Sequence, residues 1–125
     1  FNIYAGPKET LQNSISLFKS VASENGREEK KLEITTACPP VVGLTKESVD
    51  NSLISAAKAL IQPEDEIAKN WQDRSYLYGT PEDVVKTLSM WQEVGIEAVY
   101  LQLLDLEQSK RDESVEVIQK AINLL

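Results

Sequence analysis

The sequence predicts an α/β fold in which parallel strands alternate with helices. Segments of strand character recur three times, and a helical pattern follows each of them. That order implies a parallel sheet with right-handed crossovers. The last strand segment, IEAVYLQLL at 96–104, is nearly continuous in apolar residues, as a strand buried on both faces should be. Helix-starting and helix-stopping residues stand at the borders of the segments, and no low-complexity stretch or linker divides the 125 residues.

Phe1 to Tyr4 is short, apolar and strand-like, and Gly6 and Pro7 open a helix. Leu11, Ile15, Phe18 and Ala22 follow at helical spacing and define one buried face. Gly26 is a C-terminal stop. The loop REEKK, 27–31, mixes both charge signs and reads as solvated. LEITTAC, 32–38, alternates and is rich in β-branched residues, so it predicts a strand that Pro39 and Pro40 end.

Thr45 caps the next helix, whose inner stripe is Val49, Leu53, Ala56, Ala57 and Leu60, and Pro63 ends it. A short helix carries Ile67 and Trp71. Gly79 then turns, Thr80 is an N-cap, and Pro81 takes the first helical position, where its missing N–H costs nothing. Glu82 and Asp83 suit the positive end of the helix dipole. Val84, Leu88 and Trp91 line the inner face, and Gly95 stops the helix before strand 96–104. The final helix is expected to bury Val115, Ile118, Ile122 and Leu125.

Composition narrows the function. Thirteen basic and 20 acidic residues give a net charge of -7, so no basic stripe exists to hold a nucleic acid backbone. No apolar run approaches the roughly 20 residues of a membrane helix, and the start lacks a basic-then-apolar signal pattern. With no His, Ser-His-Asp triads and His-ligated metal sites are excluded within the chain. The single Cys38 excludes an intrachain disulfide and a Cys-rich zinc site. The cytoplasm is the expected compartment.

Three strands, one of them a stub, make less than a sheet of usual size. A whole (β/α)8 barrel takes roughly 250 residues, so the chain has the length of about half of one. GTPEDVVKTLSMWQEVGIEAVYLQLLDLEQ, from 79 onward, resembles the C-terminal signature of the bacterial luciferase-like flavin monooxygenase family. There a G-T-P-E turn opens a helix and a V-G-I step feeds the eighth barrel strand. VYLQLLDLEQ is most similar to the branch of oxidoreductases that use the deazaflavin coenzyme F-420. FNIYAGPKETLQNSISLFKSVASENGRE resembles the same family's W-N-x-x-G-x-P-E-E segment. Phe1 stands for the usual aromatic, Lys8 replaces an acidic or small residue, and Glu28 replaces an Asp.

The resemblance spans the chain. It implies the C-terminal part, about half, of a TIM (β/α)8 barrel: Phe1 to Tyr4 leads out of strand six, 32–38 is strand seven and 96–104 is strand eight. It further implies a cofactor, coenzyme F-420 or FMN, and a small-molecule substrate. Since the chain starts at Phe1 in strand-like sequence, the expectation is a piece of a larger enzyme, inactive alone, that pairs with the missing N-terminal half or with a second copy.

In such barrels the active site lies at the C-terminal ends of the strands. Here that rim is the stretch after Tyr4, the 38–43 loop and the 102–107 loop. Gly79 and Thr80 begin a helix whose N–H groups either meet a cofactor phosphate or carboxylate or simply receive a cap. Gln102, inside an apolar strand, either touches the ring system or satisfies loop backbone. Asp105 is a proton-transfer candidate or a solvated carboxylate. Cys38 lacks a cationic neighbour that would lower its pKa and reads as a small buried strand residue. Trp71 and Trp91 read as core or interface. A flavodoxin-like binding module is the competing class, but strand 96–104 carries no Lys and 32–38 ends in Ala-Cys-Pro-Pro rather than acidic residues.

Overall fold

A computed structural model describes residues 1–28 and 32–125. Its order is β1 (Asn2–Tyr4), α1 (Lys8–Glu24), β2 (Thr35–Cys38), β3 (Val41–Val42), α2 (Lys46–Leu60), α3 (Glu64–Asp73), β4 (Tyr78–Gly79), α4 (Pro81–Val94), β5 (Ala98–Leu101) and α5 (Gln108–Asn123). β1, β2 and β5 form one parallel sheet in the order β1-β2-β5. Helices separate the strands in sequence, as parallel crossovers require. Of the solvated-loop segment 27–31, Arg27 and Glu28 are exposed, and residues 29–31 lie outside the described residues.

The local signals act where they stand. Thr45 Oγ1 accepts the Ser48 N–H at 3.2 Å and caps α2. Gly95 ends α4 in the left-handed region at φ 96, a conformation that glycine adopts without strain. Phe1 stacks on Phe18 with ring centroids 3.7 Å apart, fastening β1 to α1. The main core lies between the helices and one face of the sheet, with Leu11, Ile15, Ile34, Val84 and Trp91 at its centre. A smaller core under α2 and α3 gathers Val41, Leu53, Ile67 and Trp71.

Four expectations are corrected. Pro39 and Pro40 end β2, but the chain resumes at once as β3, which pairs in parallel with β4 where only a turn at Gly79 was expected. Val41 N–H donates to the Leu77 carbonyl and Gly43 N–H to that of Gly79, so the diproline bends the strand without ending sheet pairing. β2 and β5 are shorter than 32–38 and 96–104, although the pairing begins at the Glu97 N–H to Ile34 carbonyl bond.

β5 is not buried on both faces: Val99 and Leu101 pack on the core, while Tyr100 is 63% exposed. No element among the described residues covers that side. Finally, α5 buries Ser114, Val117, Ile118 and Ala121, and leaves Val115, Ile122 and Leu125 exposed. Its small residues allow close packing on α4, and the bulkier Ile122 and Leu125 line an open groove beside β5.

Candidate functional site at the open sheet face

The pleat of three short strands sorts their side chains between two sides. Phe1, Ile3, Thr36 and Cys38 point to the helices: Phe1 stacks on α1, Thr36 Oγ1 donates to the Ile3 carbonyl at 2.8 Å, and Cys38 is fully buried. The other side carries two cross-strand rows. The register aligns Asn2 with Thr35 and Ala98, and Tyr4 with Ala37 and Tyr100. Thr35 Oγ1 donates to Asn2 Oδ1 at 3.2 Å, which places both on this face. Tyr4 is 92% exposed. The upper row, Tyr4-Ala37-Tyr100, therefore stands at the C-terminal ends of three parallel strands, where barrel chemistry is built.

The aromatic of the N-terminal motif, Phe1, faces the helices, whereas Asn2 faces the open side. Gln102 follows Tyr100 by two residues and is exposed, not a buried amide; its N–H donates to the Cys38 carbonyl at 3.1 Å. Its side chain is thus available at the mouth. The 102–107 loop is pinned from below by Arg111, whose Nη1 donates to the carbonyls of Asp105 at 2.9 Å and Leu106 at 2.8 Å. Asp105 is half-buried at this rim, held through its backbone.

Gly79 and Thr80 lie beyond the C-terminal end of β2, on β4 and the start of α4. Gly79 has φ 111, and a Cβ there would come within 2.5 Å of Asp83 Oδ2. The Thr80 N–H and hydroxyl both donate to that same oxygen at 3.1 Å. This is a capping box. It spends the donors a phosphate would use, and it puts a carboxylate where the phosphate would sit. The residues present therefore do not fit a cofactor phosphate at Thr80.

Cys38 has a structural task. Its Sγ accepts the Leu77 N–H at 3.3 Å, tying the end of β2 to the segment that enters β4. Burial pushes its thiol pKa up to about 12, against the weaker opposing pull of the Leu77 N–H, so it is not a nucleophile at neutral pH. Trp71 and Trp91 are both buried; Trp71 Nε1 donates to the Pro39 carbonyl at 2.7 Å and holds the diproline bend.

Sequence reasoning did not single out Tyr4 and Tyr100. Their shared level follows from strand register, and the one available signal was the parity they share with Asn2 and Ala98.

No family model matches the chain, and no curated protein matches it. Solved structures do. An F-420-dependent secondary alcohol dehydrogenase, solved with an F-420–acetone adduct, superposes with a TM-score of 0.65 at 20% identity, over 96% of this chain and 42% of that one. A riboflavin lyase, solved with modified FMN and its substrate riboflavin, superposes with a TM-score of 0.60 at 14% identity, over 99% of this chain and 38% of that one. The chain thus spans less than half the length of either. The fold is α/β and corresponds to the C-terminal part, somewhat under half, of a TIM (β/α)8 barrel. Among the described residues no helix is long and apolar enough to cross a membrane.

Proposed function

We propose that residues 1–125 form the C-terminal partial barrel domain of a luciferase-like oxidoreductase or monooxygenase that uses coenzyme F-420 or FMN. The observation that carries this reading is the parallel sheet β1-β2-β5, clothed by helices on one face and open on the other. Its superposition on an F-420-dependent dehydrogenase extends over 96% of the chain. In the whole enzyme the cofactor supplies hydride or oxygen chemistry. The residues of this chain bind and orient. The open face receives the ring and the small-molecule substrate, Gln102 contacts them at the mouth, and Arg111 holds the rim loop in place. Gly79 and Thr80 shape the start of α4. The isolated chain is inactive because the rims of five further strands contribute to the site. The proposed compartment is the cytoplasm.

Reconstitution tests this. The coding sequence upstream should encode five further βα units. Coexpression of that segment with residues 1–125 should yield a complex that retains coenzyme F-420 or FMN through gel filtration and turns over a cofactor-dependent substrate. An upstream sequence without those units would refute the reading. The second reading, a non-catalytic self-association module, is favoured by the unpaired outer edge of β5 and the apolar groove beside it.

A further inference from the structure

We propose that Asn25 and Gly26 form a self-modifying site: the Gly26 nitrogen attacks the Asn25 side-chain amide and converts it to aspartate and isoaspartate, at a rate set by the cap that ends α1.

Of the six asparagines, Asn25 alone is followed by glycine. Glycine has no side chain to shield its nitrogen, and it lets the backbone turn freely. Both residues are exposed, so water and hydroxide reach them. The step balances with water as the only co-reactant. The Gly26 amide gives up its proton, and its nitrogen bonds to Asn25 Cγ. The Cγ–Nδ2 bond breaks, and Nδ2 leaves as ammonia with that proton. Water then opens the five-membered imide at one of its two carbonyls. One opening gives aspartate. The other gives isoaspartate, in which Cβ lies in the main chain.

The folded chain holds this pair away from reaction. Asn25 is the C-cap of α1, with ψ 14. At that torsion the nitrogens of Asn25 and Gly26 nearly eclipse each other, whereas closing the imide needs the Gly26 nitrogen to eclipse Asn25 Cβ. Both reacting nitrogens are also engaged. Asn25 Nδ2 donates to the Val21 carbonyl at 2.8 Å. The Gly26 N–H donates to the Ser23 carbonyl at 3.0 Å, and the Arg27 N–H to the Ala22 carbonyl at 2.9 Å. With Gly26 at φ 74, these two backbone bonds make a Schellman motif. Reaction waits for that motif to open. Ala22 is the last residue that α1 buries, so the end beyond it can open without disturbing the core.

The product does not close again as tightly. An aspartate at 25 has no N–H for the Val21 carbonyl. It also sets a negative charge at the negative end of the helix dipole, and the last turn of α1 has no basic residue to offset it. Isoaspartate lengthens the main chain by one carbon and shifts the register of both cap bonds. The modification is thus a one-way loosening of the α1 terminus.

The test is peptide mapping of the purified chain held at mildly alkaline pH, folded and in guanidinium. Asn25 should convert first among the asparagines and give both products. Conversion in the folded chain should run roughly ten- to a hundredfold slower than in the denatured chain, matching the small open population of a capped helix end. Hydrogen exchange of the Gly26 amide should be slowed by a similar factor, since one hydrogen bond guards both processes. Asn25→Gln, which would need a six-membered ring, should convert far more slowly with an unchanged melt. Asn25→Asp, which carries the product side chain, should speed Gly26 exchange several-fold. Earlier conversion at another asparagine, or none at Asn25 in the denatured chain, would overturn the site. Equal folded and denatured rates, or a freely exchanging Gly26 amide beside a slow Asn25, would overturn the control by the cap. Unchanged Gly26 exchange in Asn25→Asp would overturn the loosening.

Discussion

Trp91 is 2% exposed, and its indole Nε1 has no hydrogen-bond partner among the described residues. Two opposing effects are therefore mixed in one side chain: the large apolar body stabilises, and the buried unpaired N–H destabilises. Trp91→Ala should cost about 3–5 kcal/mol, as loss of a buried aromatic does. Trp91→Phe should cost much less, because it keeps most of the body and removes the unpaired donor. Urea melts of the three proteins decide this, and a loss below about 1 kcal/mol for the alanine variant would show that Trp91 anchors nothing.

Cys38 yields a pH prediction. Its thiol, ordinarily near 9.0, is pushed up to about 12 by burial. Below pH 9 the thiol is protonated in both folded and unfolded chains and adds no pH dependence. Between 9 and 12 the unfolded chain loses the proton and the folded chain keeps it. Stability must then fall as pH rises, by up to about 1.4 kcal/mol per pH unit from this group. Tyr78, whose phenol is also pushed up by burial and by the Asp50 charge, contributes in the same direction. It is present in both proteins when wild type is compared with Cys38→Ala, so the difference isolates the thiol. Equal pH slopes for the two proteins between 9 and 12 would refute the assignment.

At the scale of elements, what was legible followed from how long each signal is. α1, α2 and α4 run 14 to 17 residues, long enough for an apolar stripe to recur several times and for caps to mark the ends. β3 and β4 have two residues each; no periodicity exists at that length, and their pairing depends on Leu77 docking between Cys38 and Val41. The apolar run at 96–104 gave away the strand but not which face would be open, since that depends on what stands opposite. α5 buries the expected Ile118 but not Val115, Ile122 or Leu125, because its small residues Ser114 and Ala121 set the contact. Site legibility has the same limit: Gln102 and the rim loops follow from chain order, whereas the tyrosine row follows from register.

Pro63 lies beyond the end of α2, which stops at Leu60 with Ile61 as its C-cap; Ile61 adopts the left-handed region at φ 53 and is 92% exposed. A β-branched residue there is strained and has no packing to compensate. Ile61→Gly should raise stability by about 0.5–1 kcal/mol, the relief of left-handed strain less the extra entropy of glycine in the unfolded chain. A thermal melt showing a lower Tm for the variant would refute the strain.

At the scale of the whole molecule, β1 and β5 are the two edges of the sheet, and they are not equivalent. Beside β5 an apolar groove of about 380 Å³ runs between α4 and α5, lined by Leu88, Trp91, Ile96, Val99, Ile122 and Leu125 among others. Natural sheet edges are short, charged or covered; here, among the described residues that line the groove, Glu97 is the only one with a charged side chain. An apolar surface of this kind next to unpaired backbone favours association, and a two-fold pair of copies is the simplest closed arrangement. Opposing it is the net charge of -7 on each copy, a repulsion that salt screens over a Debye length of about 10 Å at 0.1 M. The isolated chain should therefore self-associate at micromolar concentration, and more strongly as salt rises. Ile122→Glu, which places a second charge in the groove at an already exposed position, should shift it to monomer without lowering its Tm. Sedimentation velocity across a salt series reads both effects. A monomer with a cooperative melt at every salt concentration would sink the association and, with it, the view that this sheet is built to be continued.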